Sequence, residues 1–222
     1  MTTSTHTNLY TRHFLLPAFL AIVLIITTGT ASAGEFNQVI SIGDAMPAFT
    51  ELPGTDGKTL SSDDLDTDVV VLVSLANHCP WVRGMDQDLV KLVESFADKS
   101  VTIVGFSVNH RKDDRLDAMR KHAKEFGYNF AYVFDESQNL GRALGAARTP
   151  EYFVFNKERT LQYTGALYNS PAKMNRDGTI KYTKGTPSEF YVSDAIEALL
   201  AGQRPAITET KAHGCSVKYE TT

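Results

Sequence analysis

Two cysteines are the residues of this chain whose type and setting could support covalent chemistry. Cys79 lies in the stretch SLANHCPWVRG, where an apolar run ends and a helical pattern begins, and Cys215 lies seven residues from the C-terminus. Because the unpaired N–H groups and the dipole of a helix N-terminus favour an anion, Cys79 is predicted to be a reactive thiolate. The alternative is a buried, inert cysteine that packs as a small apolar side chain.

The position of Cys215 allows a thiol pair. Cys215 follows Ala201, the predicted end of the last helix, by 14 residues, and such a segment can extend up to about 50 Å. If the tail reaches Cys79, Cys215 could act as a resolving thiol, or the two cysteines could form a permanent disulfide that pins the tail. Reach alone leaves both alternatives open.

A histidine near each cysteine supports a different chemistry. His78 precedes Cys79, and His213 lies two residues before Cys215. Two thiolates and two imidazoles would together suit Zn²⁺ or Cu(I). A copper- or zinc-binding metallochaperone is therefore the second functional hypothesis, although neither pair has the spacing of a recognised ligand motif.

The elements that must position Cys79 form a predicted βαβ unit. Residues 68–76 (DVVVLVSLA) and 101–108 (VTIVGFSV) are the β-branched runs of buried strands. Between them, Pro80 suits the first position of a helix, and apolar residues recur at helical spacing to about Lys99. Open α/β sheets place their sites at the carboxyl ends of strands, which favours a functional Cys79.

Further elements are predicted on both sides of this unit. A helix follows the second strand, with Asp113 and Asp114 as its cap and His122 facing solvent. The last helix begins either at the capping box Thr186–Glu189 or at Ser193. The other predicted elements are a hairpin at 49–60, a strand at 130–134, a short helix at 137–144, a hairpin at 152–167, an inserted loop at 169–185 and an irregular tail at 203–222.

The N-terminus has the pattern of a secretory signal. Arg12 and His13 precede an apolar stretch at 15–26 and an A-x-A site that ends at Ala33, which predicts cleavage before Gly34. The apolar stretch, about 12 residues, is too short to span a bilayer as a helix. We therefore expect an exported protein, periplasmic or secreted, without membrane association after cleavage. The mature protein would be one domain at 34–202 with the tail at 203–222.

Three motifs together resemble the exported peroxiredoxin-like proteins of the thioredoxin superfamily, the redoxin or alkyl hydroperoxide reductase–thiol-specific antioxidant-like family. These motifs are Asn77-His78-Cys79-Pro80, Thr149-Pro150-Glu151 and residues 214–219 (GCSVKY), and the resemblance covers roughly residues 42–219. It implies an α/β, thioredoxin-like fold of peroxiredoxin-like form, with a central mixed sheet flanked by helices and an N-terminal hairpin.

The resemblance also implies a site and an activity. Pro150 would be cis and would lie beside Cys79 together with Thr149 and Arg148. The activity would be thiol–disulfide exchange or hydroperoxide reduction, with Cys79 as the attacking thiol, His78 beside it and Cys215 as the resolving thiol. No cofactor would be needed, and the partner would be a thiol or disulfide protein or a small hydroperoxide. A formal net charge of −4 and the lack of a Lys/Arg cluster along the sequence argue against a nucleic-acid partner.

The sequence departs from the family pattern at two positions. Ala76 replaces the first cysteine of the family's C-x-x-C, and Arg148 replaces the cysteine before Thr-Pro. Leu72 and Ala76 stand where peroxiredoxins carry proline and threonine. A C-x-x-C mechanism is thereby excluded, and a redox-inactive member of the family that binds a partner is the third hypothesis.

Overall fold

The computed structural model describes residues 1–3 and 34–221, and the fold below is that of residues 34–221. The predicted signal segment and its cleavage site lie outside the described residues. No helix of the described residues is long and apolar enough to cross a membrane. In chain order the elements are β1 (Leu52–Pro53), β2 (Thr59–Leu60), β3 (Val69–Ser74), α1 (Pro80–Ser95), β4 (Val101–Ser107), α2 (Leu116–Phe126), β5 (Ala131–Phe134), α3 (Asn139–Ala143), β6 (Arg148–Thr149), β7 (Glu151–Phe155), β8 (Leu161–Gly165), β9 (Ala172–Met174), β10 (Ile180–Tyr182), α4 (Tyr191–Leu200) and β11 (Cys215–Ser216).

A five-stranded mixed sheet with the order β5-β4-β3-β7-β8 forms the centre of the molecule. Strands β3, β4 and β5 are parallel, whereas β7 runs antiparallel to both β3 and β8. All six residues of β3 are buried, because this central strand is covered by apolar groups on both faces. The predicted fold class, a thioredoxin-like α/β protein with a central mixed sheet, is confirmed.

Alternation along β3 divides the core into two layers. Val71 and Val73 point into the layer under α1, whereas Val70 and Leu72 point into the layer on the other face of the sheet. The first layer also holds Cys79. The N-terminal end of α1, next to Cys79, is therefore embedded in the larger of the two cores.

The segment at 169–185, predicted as a loop, instead contains the antiparallel hairpin β9–β10, in which Lys173 pairs with Lys181. This hairpin packs directly on α1. A Cβ atom on Gly84 would lie 2.7 Å from Cα of Lys173 and 2.8 Å from the carbonyl carbon of Ala172. Glycine at position 84 thus allows two backbones to touch, and such a contact leaves no trace in hydrophobic periodicity.

Both predicted starts of the last helix are wrong, because α4 begins at Tyr191 after Phe190. The residues of the expected capping box are engaged elsewhere. Asn169 donates its backbone N–H to the carbonyl of Glu189 at 3.1 Å, and its side-chain oxygen accepts from Ser188 N at 3.2 Å. The box residues therefore anchor the β9–β10 segment instead of a helix start.

Two predictions around α2 are also wrong. His122 is buried, with 7% of its surface exposed, and contacts Asp86 and Tyr128. Asp114 is completely buried and does not cap α2, whose N-cap is Arg115 without a side-chain cap. The polar residue His122 lies on a face of α2 that neighbouring elements cover, through Asp86 of α1 and Tyr128.

Candidate functional site

Cys79 lies in the connection between the end of β3 and the start of α1. It is the N-cap residue of α1, and Pro80 occupies the first helical position, where a missing N–H costs no hydrogen bond. The side chain has no accessible surface. Its Sγ donates a hydrogen bond of 3.0 Å to the carbonyl oxygen of Thr149. The expected position of Cys79 at a helix N-terminus is thus observed, whereas its complete burial is a feature of the tertiary structure.

Thr149 and Pro150 lie beside Cys79, as the family resemblance implies. The Thr149–Pro150 peptide bond is cis. Thr149 belongs to the two-residue strand β6, which pairs antiparallel with β11 so that Cys215 lies opposite Thr149 and Ser216 opposite Arg148. The tail therefore contains a strand, contrary to its predicted irregular structure.

Close approach of the tail depends on glycine. A Cβ atom on Gly214 would lie only 2.1 Å from the carbonyl oxygen of Thr149 and 2.6 Å from its carbonyl carbon. Hydrogen bonds to the residues after β11 fix the tail further. Gln138 donates to the carbonyl of Lys218 at 3.1 Å, and Tyr219 donates to the carbonyl of Ala146 at 2.7 Å.

The two thiols interact, and both are free in this structure. Cys215 is half-buried and packs on the core layer that contains Cys79. Burial raises the pKa of the Cys215 thiol to about 12, with further contributions from a hydrogen bond with Cys79 and from the repulsion between the two sulfurs when both are ionised. Cys215 therefore stays protonated at neutral pH and can donate its S–H toward the sulfur of Cys79.

His78 is held by a carboxylate that the sequence did not associate with the site. Its Nδ1 lies 2.5 Å from Oδ2 of Asp114, and its backbone N–H donates to Oδ1 of the same carboxylate at 3.1 Å. The buried carboxylate of Asp114 thus binds both the ring and the backbone N–H of His78, the residue before Cys79. The acidic pair before a helix was the available signal for Asp114, but that pattern is also typical of a cap.

Arg148 in β6 and His213, two residues before Cys215, are both exposed. The guanidinium of Arg148 donates to Oγ of Ser216 at 2.6 Å. Burial, followed by the charges of Lys211, Lys184 and Arg148, lowers the pKa of His213 below its usual 6.5. His213 is therefore neutral at physiological pH.

The structure does not assemble the four residues of the metal hypothesis into a ligand set. Within residues 34–221, no group of three or more His, Cys, Asp and Glu side chains is placed to hold a metal ion. Nδ1 of His78 is already engaged by Asp114. Copper or zinc binding by His78, Cys79, His213 and Cys215 stays a prediction.

The family model described as Redoxin matches residues 41–184. No curated protein matches the chain.

Three solved structures illustrate the fold. An uncharacterised conserved protein from Geobacillus kaustophilus is 29% identical, with a TM-score of 0.74 over 84% of this chain and 96% of that one. A hypothetical protein from Sinorhizobium meliloti 1021 is 23% identical, with a TM-score of 0.73 over 84% and 98%. A candidate thiol:disulfide interchange protein DsbE from Chlorobium tepidum is 22% identical, with a TM-score of 0.50 over 56% and 84%. The fold, the cis-proline beside a helix-capping cysteine and the family match lead to one conclusion: this chain belongs to the redoxin family of the thioredoxin superfamily.

Proposed function

We propose that this protein is a thiol–disulfide oxidoreductase whose redox pair is Cys79 and Cys215. The observation that carries the proposal is the β6–β11 pairing, which places Cys215 opposite the residue whose carbonyl accepts the Cys79 thiol. In this proposal the Cys79–Cys215 pair takes the place of the family's C-x-x-C pair, whose first cysteine is Ala76 in this chain. If the predicted export is correct, the protein works where disulfides persist.

The burial of the two sulfurs suggests which one meets the substrate. Cys79 has no exposed surface, whereas Cys215 is partly exposed. We assign Cys215 as the cysteine that carries the mixed disulfide and Cys79 as the internal thiol. This order is the reverse of the one expected from the family resemblance, in which Cys79 attacks and Cys215 resolves.

The proposed cycle starts from the 79–215 disulfide. A substrate thiolate attacks Sγ of Cys215, the 79–215 bond breaks, and Cys79 leaves as a thiolate stabilised at the N-terminus of α1. A second substrate thiolate then attacks the substrate sulfur of the mixed disulfide and releases Cys215. Two electrons pass from the substrate dithiol to the protein disulfide, and the two thiol protons end on Cys79 and Cys215.

Hydroperoxide reduction stays a prediction of the family resemblance. Leu72 and Ala76 occupy the positions of the proline and threonine that accompany a peroxidatic cysteine. The buried thiol of Cys79 also points its S–H at the carbonyl of Thr149. Thiol–disulfide exchange is therefore the activity to test first.

The test compares Cys79→Ser with Cys215→Ser. Each single-cysteine protein is mixed with a small aromatic disulfide under native conditions, and the release of the aromatic thiolate is followed with time. Peptide mass mapping then locates the adduct. Once each rate is divided by the thiolate fraction obtained from its pH dependence, we expect the adduct on Cys215 in Cys79→Ser to form about tenfold faster than the adduct on Cys79 in Cys215→Ser, because local opening must precede reaction of a buried thiol.

Wild-type protein supplies the control for the redox pair itself. On mild oxidation its intact mass should fall by two hydrogen atoms, and dithiothreitol should restore it. If no 79–215 bridge forms, the proposed function is wrong. If the bridge forms but Cys79 reacts faster than Cys215, the redox function stands and the order of the two cysteines is the conventional one.

A further inference from the structure

Four exposed basic side chains, on three separate segments of the chain, converge on the strand that carries Cys215. None of them forms an ion pair with a carboxylate of the described residues. They are Arg148 in β6, Lys173 in β9, Lys184 just after β10, and Lys211 four residues before Cys215.

Lys173 is brought to the thiol pair by the β9–β10 hairpin. Its Nζ lies 5.5 Å from the ring centroid of Trp81, which is in the first turn of α1, two residues after Cys79. The close contact at Gly84 holds the backbone of Lys173 against the same helix. The positive charge of Lys173 acts to lower the pKa of Cys215, against the larger effect of burial. The hairpin therefore adds a cation to the redox site.

The other three cations lie around His213. The charges of Lys211, Lys184 and Arg148 all act on this imidazole, two residues before Cys215. Lys184 is fixed through its backbone N–H, which donates to Oγ of Ser170 at 2.8 Å. Arg148 is fixed by its hydrogen bond to Ser216, the residue after Cys215.

Two carboxylates near this surface, Asp114 and Glu151, are buried and hydrogen-bonded. Asp114, which also acts on Cys215, is fully buried and bound to His78. Glu151 is buried and accepts hydrogen bonds from the backbone N–H groups of Ala147 and Arg148 at 2.7 and 3.0 Å. The exposed charged groups that act on Cys215 and His213 are thus basic, although the whole chain has a net charge of −4.

We infer that the redox site selects acidic substrates: thiols or disulfides with carboxylate groups next to the reacting sulfur. This inference rests on the proposed function. A surface of one sign concentrates substrates of the opposite sign and accelerates their association. We name the basic residues Arg148, Lys173, Lys184 and Lys211 the basic rim.

The test uses protein that carries the 79–215 disulfide and three small thiols: thioglycolate, 2-mercaptoethanol and cysteamine, which are anionic, neutral and cationic beside the sulfur. The rate of bridge opening is corrected for the thiolate fraction and the intrinsic nucleophilicity of each thiol. We expect thioglycolate to react about five- to tenfold faster than cysteamine at low salt. The ratio should approach one near 1 M salt, where the Debye length is only about 3 Å.

Cysteine peptides flanked by two Glu, two Gln or two Lys residues form a second series. A Glu preference that matches the small-thiol ratio indicates a small acidic thiol as substrate, and a larger ratio indicates an acidic peptide. Either result supports selection of acidic substrates.

Variants assign the effect to the basic rim. Lys173→Gln and Lys184→Gln should each reduce the ratio of thioglycolate to cysteamine rates by about twofold. The matched control is Lys58→Gln, which removes an exposed lysine from the β1–β2 turn, next to strands that pack on the other face of the sheet.

The possible failures are distinguishable. If no thiol opens the bridge, or no bridge forms, the proposed function itself fails. If the bridge opens at corrected rates that do not depend on charge, the exchange activity stands and selection of acidic substrates is overturned. A control Lys58→Gln that changes the ratio as much as Lys173→Gln would also overturn the role of the basic rim.

Discussion

At the scale of single residues, the site combines one buried thiol, one half-exposed thiol and one anchored imidazole. The Asp114 carboxylate is completely buried and contacts both the ring and the backbone N–H of His78. A buried carboxylate bound in this way fixes the tautomer and the orientation of an imidazole. Asp114 is therefore a positioning residue that acts through His78, next to Cys79.

Asp114→Asn should slow opening of the 79–215 bridge by small thiols by about tenfold, because an amide cannot stabilise the imidazolium form of His78 that would donate a proton to the leaving Cys79 thiolate. The measurement is the rate of bridge opening together with the melting temperature. The matched control is Asp113→Asn, which alters the exposed neighbouring carboxylate that pairs with Arg111. Equal rates of bridge opening in Asp114→Asn and Asp113→Asn would show that Asp114 has no role in the reaction.

At the scale of elements, the redox pair depends on a strand of two residues. β11 is held against β6 by two residue pairs, and the residue before it can only be glycine without displacing the backbone of Thr149. Such a short strand opens at low free-energy cost compared with the central sheet. The exposure of Cys79 is thus controlled by the pairing of β11.

Gly214→Ala should release β11 and leave the central sheet folded. The added Cβ would fall 2.1 Å from a backbone carbonyl oxygen, so the strand must move. Alkylation of Cys79 by iodoacetamide in the reduced protein should then become about tenfold faster, because the cover over its sulfur is lost. Peptide mass mapping measures the rate for each cysteine. Gly57→Ala is the control, since its added Cβ lies in the β1–β2 turn and meets no atom within 4 Å. A Gly214→Ala protein with wild-type Cys79 reactivity would show that β11 does not control access to the thiol.

At the scale of the whole molecule, buried phenols link stability to pH. Burial raises the pKa of Tyr132, Tyr152 and Tyr163 well above the usual value of 10. In the unfolded chain these phenols lose protons near pH 10. The unfolded state then binds fewer protons than the folded state, so the free energy of unfolding falls as the pH rises above 10 and is unaffected by these groups below it.

The expected result is a urea midpoint that decreases slightly from pH 8 to 9, because the Cys215 thiol titrates in that range only in the unfolded chain, and decreases steeply from pH 10 to 11.5. Tyr152→Phe provides the matched variant, because the buried Tyr152 hydroxyl has no hydrogen-bond partner among the described residues. Its midpoint should decrease less steeply, and its stability at pH 8 should be about 1 kcal/mol higher, because a buried unsatisfied hydroxyl is removed. A wild-type midpoint that stays constant to pH 11.5 would contradict the linkage.

Local patterns in the sequence determined the scaffold of the site. The β-branched run of β3, Pro80 and the helical spacing after it place Cys79 at a helix N-terminus, because strand burial, helix starts and amphipathic faces depend on residues a few positions apart. Family motifs added the cis Pro150 and the mixed sheet. None of these patterns required knowledge of contacts between distant parts of the chain.

Only the tertiary structure decided what surrounds the thiol. Three contacts join residues that are 36 to 89 positions apart in the sequence. Cys215 pairs with Thr149, Asp114 binds His78, and Lys173 contacts Gly84. Neither a backbone contact at a glycine nor the convergence of distant lysines produces a periodic pattern in the sequence. For this physical reason the sequence determined where Cys79 lies in the fold, and only the folded chain decided which of the two thiols is exposed and which basic side chains lie near them.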